Sequence, residues 1–254
     1  MQHVNSFDGT RLAYAQSMPK IADGRCPVLL LHGFASDHQD NWVEPGIVDA
    51  LVVNGRVVVA FDARGHGASD TPHDPTAYAG DTMVRDAQAI LDTLEIERVQ
   101  VVGYSMGALV AARLAATDPR VHALVIAGAG GNLRRDSTDS GDGGLAAALL
   151  VDDPERITHP VGRAFRASVD RSGADRFALA AFERSTALGT DVDFAAITVP
   201  TLVLVGDRDQ IVGAPEDLAR RIAGARAQVV PGDHVGAPRD PAFASALVEF
   251  LEGT

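Results

Sequence analysis

The chain alternates short apolar runs with longer segments of helical spacing. The apolar runs that read as strands lie in PVLLLHGF (27–34), RVVVAFD (56–62), VQVV (99–102), HALVIAGA (122–129) and VPTLVLVGDRDQ (199–210). Strands that are apolar on both faces are typical of a parallel sheet covered by helices on both sides. The pattern therefore predicts a mostly parallel, doubly wound sheet.

Segments of helical spacing separate these strands. Residues 81–94 place apolar side chains on one helical face, and Asp81 is expected to cap that helix. Further elements are predicted as helices at 106–117, 214–223 and 241–252, a strand at 226–230, and a hairpin in VNSFDGTRLAYA (4–15). Strands that alternate with helices indicate an α/β fold.

The alternation stops near Gly130. Residues 128–144 are rich in Gly, Asp and Ser and predict an exposed loop, and residues 145–188 look helical throughout. We therefore expect a core domain at 1–130 and 196–254, interrupted by a helical cap insertion at 131–195.

Composition narrows the classes of partner. The chain has 254 residues, of which 46% are hydrophobic, and a net charge of −12, so neither nucleic acid nor an anionic membrane is an expected partner. The single cysteine, Cys26, excludes an internal disulfide. The first 15 residues lack a signal peptide's basic start and apolar stretch, so a cytoplasmic location is expected. The oligomeric state is left open.

One serine stands where a buried strand turns into a helix. Gly103-Tyr104-Ser105-Met106-Gly107 matches G-x-S-x-G in the strand–turn–helix context that this motif requires. A turn this tight strains the serine and lifts its hydroxyl clear of the backbone, and the flanking residues must be small for the strand and helix to approach. The motif predicts Ser105 as a nucleophile.

A serine nucleophile needs a base and a group that orients the base. His234 lies in a Gly/Pro-rich loop after the strand at 226–230, and we expect it to be the base. Asp207 and Asp209 compete for the third position after TLVLVG. We prefer Asp209, which lies deeper in the loop, whereas the other aspartate is expected to shape the turn.

Acyl transfer by a serine also needs N–H donors for the developing oxyanion. The backbone amides of Met106 and Phe34 are the expected donors of this oxyanion hole. His32-Gly33 is expected to shape the loop that carries Phe34, and His32 is interpreted as structural rather than as a proton-transfer group. The histidines show no metal-binding spacing, so neither a metal nor another cofactor is predicted.

These motifs resemble the α/β-hydrolase family, in its serine-nucleophile branch. The matching segments, in the family's order, are HGF (32–34), FDARGHGASD (61–70), GYSMGA (103–108), PTLVLVGDRD (200–209) and GDH (232–234). The resemblance spans about 3–250 without the insertion. It implies the fold and the triad chemistry, a mainly structural role for His66, and a helical cap that sets substrate choice. A serine at the nucleophile position argues against haloalkane dehalogenases and epoxide hydrolases.

The predicted function is hydrolysis of a small-molecule carboxylic ester or lactone through an acyl-enzyme. One alternative on the same triad is hydrolysis of a carbon–carbon bond in ring-cleavage diketones. Relatives of that kind often carry Asn and Trp where this chain has Tyr104 and Val235. Perhydrolysis is chemically adjacent, and a ligand sensor that has kept the hydrolase fold is an alternative of another class.

Substrate choice is the least determined feature. His32, Gly33, Trp42 and Tyr104 are candidates to line the pocket, although core packing explains Trp42 at least as well. An insertion arginine could also bind a substrate carboxylate; the candidates are Arg163, Arg166 and Arg171. A solvated helix surface is the preferred interpretation of these charges.

Overall fold

The structure, a computed structural model, describes residues 1–21, 24–132, 144–185 and 192–254. One sheet contains eight strands: β1 (Gln2–Asn5), β2 (Arg11–Ser17), β3 (Val28–Leu31), β4 (Val58–Phe61), β5 (Val99–Tyr104), β6 (Val121–Ala127), β7 (Thr201–Gly206) and β8 (Arg226–Val230). The strand order is β1-β2-β4-β3-β5-β6-β7-β8. β2 runs antiparallel to both of its neighbours, β1 and β4, and every neighbouring pair from β4 to β8 in that order is parallel. The predicted mostly parallel sheet is confirmed.

Helices cover both faces of this sheet. They are α1 (Ile47–Val53), α2 (Thr82–Thr93), α3 (Met106–Thr117), α4 (Gly144–Leu150), α5 (Pro160–Ser172), α6 (Arg176–Arg184), α7 (Pro215–Ala219) and α8 (Pro241–Glu252). Apolar residues of α2, α3 and α7 pack on one face, and those of α1 and α8 pack on the other. Within the described ranges, every helix is too short or too polar to reach across a lipid bilayer.

The continuous apolar runs follow from these two covered faces. In β3, Leu29 and Leu31 point into the core under α2 and α3, whereas Val28 and Leu30 point into the core under α1 and α8. Successive strand residues face opposite sides, so a strand buried on both sides must be apolar at each position. Burying each such side chain contributes roughly 2 kcal/mol.

Two helices of the structure differ from what the sequence predicted. Helix α1 was not predicted; a π-helical turn, Gln39–Val43, precedes it, and four of its seven residues are β-branched, which lowers their helix propensity. Helix α7 ends at Ala219 instead of residue 223, because the chain turns there towards Gly224, which has a φ of 72°. The other predicted elements lie within about two residues of their predicted bounds.

Asp81 precedes α2 as predicted, but it does not cap the helix with a hydrogen bond. Asp81 occupies the position before the helix, but its φ and ψ of −92° and 18° differ from the extended backbone of a side-chain cap, and its carboxylate accepts no helix amide. It pairs with Arg113 at 3.4 Å instead. By contrast, Asp175 is extended before α6 and accepts the amides of Phe177 and Ala178.

Helices α4 to α6 lie between β6 and β7 in the chain. Leu149, Val169 and Leu179 form a small apolar cluster with partly buried Phe34 and Ala35 from the loop after β3. The helices therefore pack against that loop. Most of the predicted loop at 128–144 lies outside the described residues, and the domain limits at 130 and 196 stay a prediction.

Candidate active site

The turn at Ser105 has the strain that its motif predicts. Ser105 stands between the last residue of β5 and the first residue of α3, with a φ of 52° and a ψ of −109°. A Cβ on Gly103 would lie 2.2 Å from the Gly107 carbonyl oxygen, and one on Gly107 would lie 2.2 Å from that of Leu31. Only glycine therefore permits this close approach of strand and helix. The strain is maintained by the packed elements on both sides.

Three side chains from distant parts of the sequence meet at this turn. The Nδ1 atom of His234 lies 2.7 Å from Asp209 Oδ2, and its Nε2 atom lies 3.1 Å from Ser105 Oγ. The Asp209 side chain is fully buried, and that of His234 is 21% exposed. The arrangement suits an imidazole whose Nδ1–H donates to the carboxylate and whose Nε2 accepts from the serine hydroxyl.

The topology explains this meeting. Ser105 follows β5, Asp209 follows β7 and His234 follows β8, and these strands run parallel. Their carboxyl ends therefore lie at one edge of the sheet, where ligands bind in open α/β folds.

The two competing aspartates have different contacts. Asp209 also accepts the Ile211 amide at 3.1 Å, so both of its oxygens are used. Asp207 is exposed and accepts the Gly232 amide at 2.8 Å, which ties the loop after β7 to the loop after β8. The structure thus brings Asp209, and not Asp207, to the imidazole.

The loop after β3 lies beside the serine. A Cβ on Gly33 would lie 3.5 Å from the Ser105 Cβ, and the Gly33 amide donates to Asn41 Oδ1 at 2.8 Å. Phe34 follows in this loop, and Met106 is the first residue of α3, where backbone amides have no acceptor within the helix. Sequence reasoning missed Asn41, and the only signal was its place in a polar segment after the strand.

Two buried histidines near the site have structural contacts. His32 lies with Nδ1 2.7 Å from the Gly33 carbonyl oxygen, and its Nε2 accepts the Ala63 amide at 2.9 Å. Burial lowers the pKa of His32. Burial lowers the pKa of His66 to about 3, and its Nδ1 lies 3.0 Å from the Arg64 carbonyl oxygen. Both imidazoles are therefore neutral near neutral pH, as a structural role requires.

Two candidate pocket residues belong to the core instead. Trp42 is fully buried, and its Nε1 atom has no hydrogen-bond partner among the described residues. Tyr104 is 5% exposed and packs with Trp42 and Phe243 under α1 and α8. Both side chains point to the sheet face away from α3, so their prediction as pocket-lining residues is corrected. Gly33 and His32 lie in the loop beside the serine.

An aromatic group joins that loop to helices α5 and α6. Phe34 stacks on Phe165 of α5 with centroids 5.6 Å apart and on Phe182 of α6 at 5.2 Å. His66 meets Phe34 and Phe182 edge-on. The residue expected to supply an oxyanion donor therefore has its side chain packed against α5 and α6.

The arginines considered as substrate ligands have mostly structural partners. Arg163 donates to the Ile157 carbonyl oxygen, and Arg166 donates to that of Val151 at 2.5 Å and to Asp170. Arg171 is exposed on α5. These contacts favour the interpretation as helix surface and helix ends. In the described ranges, no three His, Cys, Asp or Glu side chains group as metal ligands would.

A known family model matches this chain. A model described as alpha/beta hydrolase fold matches residues 27–150, which include β3 to α4 and the serine turn. A Bacillus subtilis (strain 168) protein assigned as a 2-succinyl-6-hydroxy-2,4-cyclohexadiene-1-carboxylate synthase is 34% identical over 125 residues, 49% of this chain. The match spans 43% of that relative's own length.

Solved structures match the chain over nearly its full length. A hydrolase from Pseudomonas aeruginosa PA01 is similar with a TM-score of 0.80 and 28% identity, covering 98% of this chain and 97% of the other. The enol-lactonase from Burkholderia xenovorans LB400 is similar with a TM-score of 0.75 and 27% identity, covering 99% and 100%.

Proposed function

The chain belongs to the α/β-hydrolase fold family, and from this premise we propose that it is a serine hydrolase of small-molecule carboxylic esters or lactones. The observation that carries the proposal is the double contact of one imidazole. His234 reaches the hydroxyl of a strained serine with one nitrogen and a buried carboxylate with the other. Such an arrangement activates a hydroxyl that is otherwise a poor nucleophile.

The chemistry follows from these contacts. His234 Nε2 takes the proton of Ser105 Oγ as that oxygen attacks the substrate carbonyl carbon. Asp209 holds the Nδ1–H tautomer and stabilises the imidazolium that forms. His234 then protonates the departing alkoxide, which leaves as the alcohol. Water attacks the resulting acyl-enzyme in the same way, releasing the acid and the free serine.

The oxyanion is the second requirement. The Met106 amide at the start of α3 and the Phe34 amide in the adjacent loop are the proposed donors. The positive end of the α3 dipole lies at the same place and favours negative charge there. In a preorganised site, each such donor contributes about 3 kcal/mol to stabilising the transition state.

The aromatic group suggests which substrates to test. Phe34, in the loop beside the serine turn, is partly buried and stacks on the partly buried Phe165, so the two rings form an apolar surface. Contacts of this kind suit an apolar acyl or ring portion better than a charged one. The similarity to an enol-lactonase adds lactones to the esters as substrates for a first panel.

The proposal is tested with purified protein and its Ser105→Ala variant. The wild type should hydrolyse a short-chain p-nitrophenyl ester, and the variant should lose about 10⁶-fold in kcat, as expected when a serine nucleophile is removed. Labelling of the wild type by a fluorophosphonate probe, absent in the variant, would locate the activated serine.

Two results would contradict the proposed function. Substantial turnover by the Ser105→Ala variant would exclude Ser105 as the nucleophile. A wild type that is neither active nor labelled would favour the ligand-sensor alternative. A substrate panel of esters, lactones and ring-cleavage diketones, with peroxide as an added nucleophile, separates the alternatives on the same triad.

A further inference from the structure

The residue before the nucleophile contacts the loop that carries the base. The hydroxyl of Tyr104 donates to the backbone carbonyl oxygen of His234 at 2.5 Å, across 130 positions of sequence. The Tyr104 ring also lies against the His234 imidazole, with centroids 5.5 Å apart. One side chain therefore bridges the serine strand and the histidine loop.

Other hydrogen bonds of the His234 loop join it to the end of β7 or to itself. Asp207 accepts the Gly232 amide, and the Arg208 amide donates to the Gly232 carbonyl oxygen, which joins the loop to the end of β7. The Asp233 carboxylate accepts the amides of Val235 and Gly236, which folds the loop on itself. These bonds fix the position of the loop relative to β7, while the Tyr104 bond fixes it relative to β5.

The ring of Tyr104 is itself held in place. Trp42 and Phe243 pack edge-on against it, with centroids 6.5 and 6.0 Å away. On another side, Gly128 leaves room that a Cβ would fill, since that atom would lie 2.6 Å from the ring. Burial raises the pKa of the phenol well above its usual range, so the hydroxyl keeps its proton and remains a donor.

We propose that Tyr104 is a positioning residue that sets the distance between His234 Nε2 and Ser105 Oγ through its hydrogen bond to the His234 carbonyl oxygen. This role rests on the proposed serine-hydrolase function. Because Tyr104 is joined to Ser105 in the chain, a shift of the strand moves nucleophile and base together. Proton transfer needs the two atoms, Ser105 Oγ and His234 Nε2, to stay aligned, and misplacement by 1 Å can cost about 100-fold in rate.

Tyr104→Phe tests this role, because it removes the hydroxyl and keeps the ring. We expect kcat for a p-nitrophenyl ester to fall by about 10- to 100-fold while KM stays within about twofold, since the hydroxyl is remote from bound substrate. The rate of fluorophosphonate labelling should fall by a similar factor.

Tyr78→Phe is the matched control. The Tyr78 hydroxyl also donates to a backbone carbonyl oxygen, that of Pro72 at 2.6 Å, and its ring is also buried, but it contacts none of the three proposed catalytic residues. Both variants lose the same kind of bond and should lose similar thermal stability. Only Tyr104→Phe should lose kcat.

A second variant avoids dependence on one substitution. Gly128→Ala puts a methyl group where the Tyr104 ring lies, at a φ of 58° that also strains an alanine. It should displace the ring and lower kcat without a matching rise in KM. If Tyr104→Phe and Tyr78→Phe have equal kcat, or if the loss appears in KM, the positioning role is wrong while the hydrolase function stands. A wild type without turnover or labelling overturns the function and the role together.

Discussion

Among the described residues, two His–Asp pairs with buried carboxylates have nearly equal geometry, and only one of them touches the proposed nucleophile. His234 and Asp209 lie 2.7 Å apart, and His38 and Asp62 lie 2.8 Å apart. Both carboxylates are buried, and the imidazoles are 21% and 14% exposed. Distance and burial alone therefore do not distinguish a catalytic pair from a structural one.

The remaining contacts of each pair make the difference. The second nitrogen of His234 faces Ser105. In the other pair, the carboxylate accepts two backbone amides, those of His38 and Ala68, both at 2.9 Å. Asp62 thus joins the loop after β3 to the loop after β4, while Asp209 orients an imidazole towards a hydroxyl. The contact with a serine hydroxyl is therefore what assigns the proposed catalytic role to one pair and not to the other.

The largest difference expected between the two pairs is in the kcat of variants that lack each carboxylate. Asp209→Asn should lower kcat by about 10⁴-fold, because an amide NH₂ facing Nδ1 favours the tautomer that carries its proton on Nε2. Asp62→Asn should lower kcat less than about tenfold, since its amide contacts no reacting atom. Steady-state hydrolysis of a p-nitrophenyl ester measures both.

Asp207→Asn is the control on the same loop as Asp209. Its amide oxygen can still accept the Gly232 amide, so kcat should remain close to that of the wild type. A larger loss of kcat at position 207 than at position 209 would reverse the assignment of the acid.

The loss of folding stability should rank Asp209→Asn and Asp62→Asn in the opposite order to their loss of kcat. In Asp209→Asn the imidazole can change tautomer and accept from the new NH₂, so no donor is left without an acceptor. In Asp62→Asn the new NH₂ faces a backbone amide of either His38 or Ala68. A backbone N–H can only donate, so two donors then face each other without an acceptor. We expect Asp62→Asn to cost about 2 kcal/mol more in unfolding free energy. Denaturant titration of both variants measures this difference, and equal costs would contradict it.

Local pattern was sufficient for the sheet and for the turn at Ser105. The apolar runs of the central strands require two covered faces, and the glycines at 103 and 107 require a close crossing of strand and helix. Since parallel strands end at one edge of the sheet, residues after β5, β7 and β8 converge there. These inferences need only neighbours in sequence and one rule of topology.

One error could have been avoided from the sequence alone, whereas three contacts between distant segments could not have been predicted. Tyr104 was assigned to the pocket although it shares the strand parity of Val102, and both pack on the face under α1 and α8. Strand alternation would have placed it correctly. The Asn41 contact, the His38–Asp62 pair and the Tyr104–His234 bond each involve a loop whose path the sequence does not determine.

The smallest expected effect is the pH dependence of the structural pair. The hydrogen bond to Asp62 raises the pKa of His38 above its ordinary 6.5, so the folded protein holds this proton more tightly than the unfolded chain. The resulting stabilisation is complete below the ordinary value and disappears as pH rises through the raised one. The carboxylate, whose pKa is lowered, stays ionised throughout this window.

The His38→Gln variant isolates this contribution, because the neutral histidines His32 and His66 are present in both proteins and their own acid sensitivity largely cancels. The wild type should exceed the variant in unfolding free energy by more at about pH 5.5 than at about pH 9. Urea titrations at both pH values measure the two differences. If they are equal, the imidazole does not gain a proton on pairing, and a neutral Nδ1–H donates to the carboxylate.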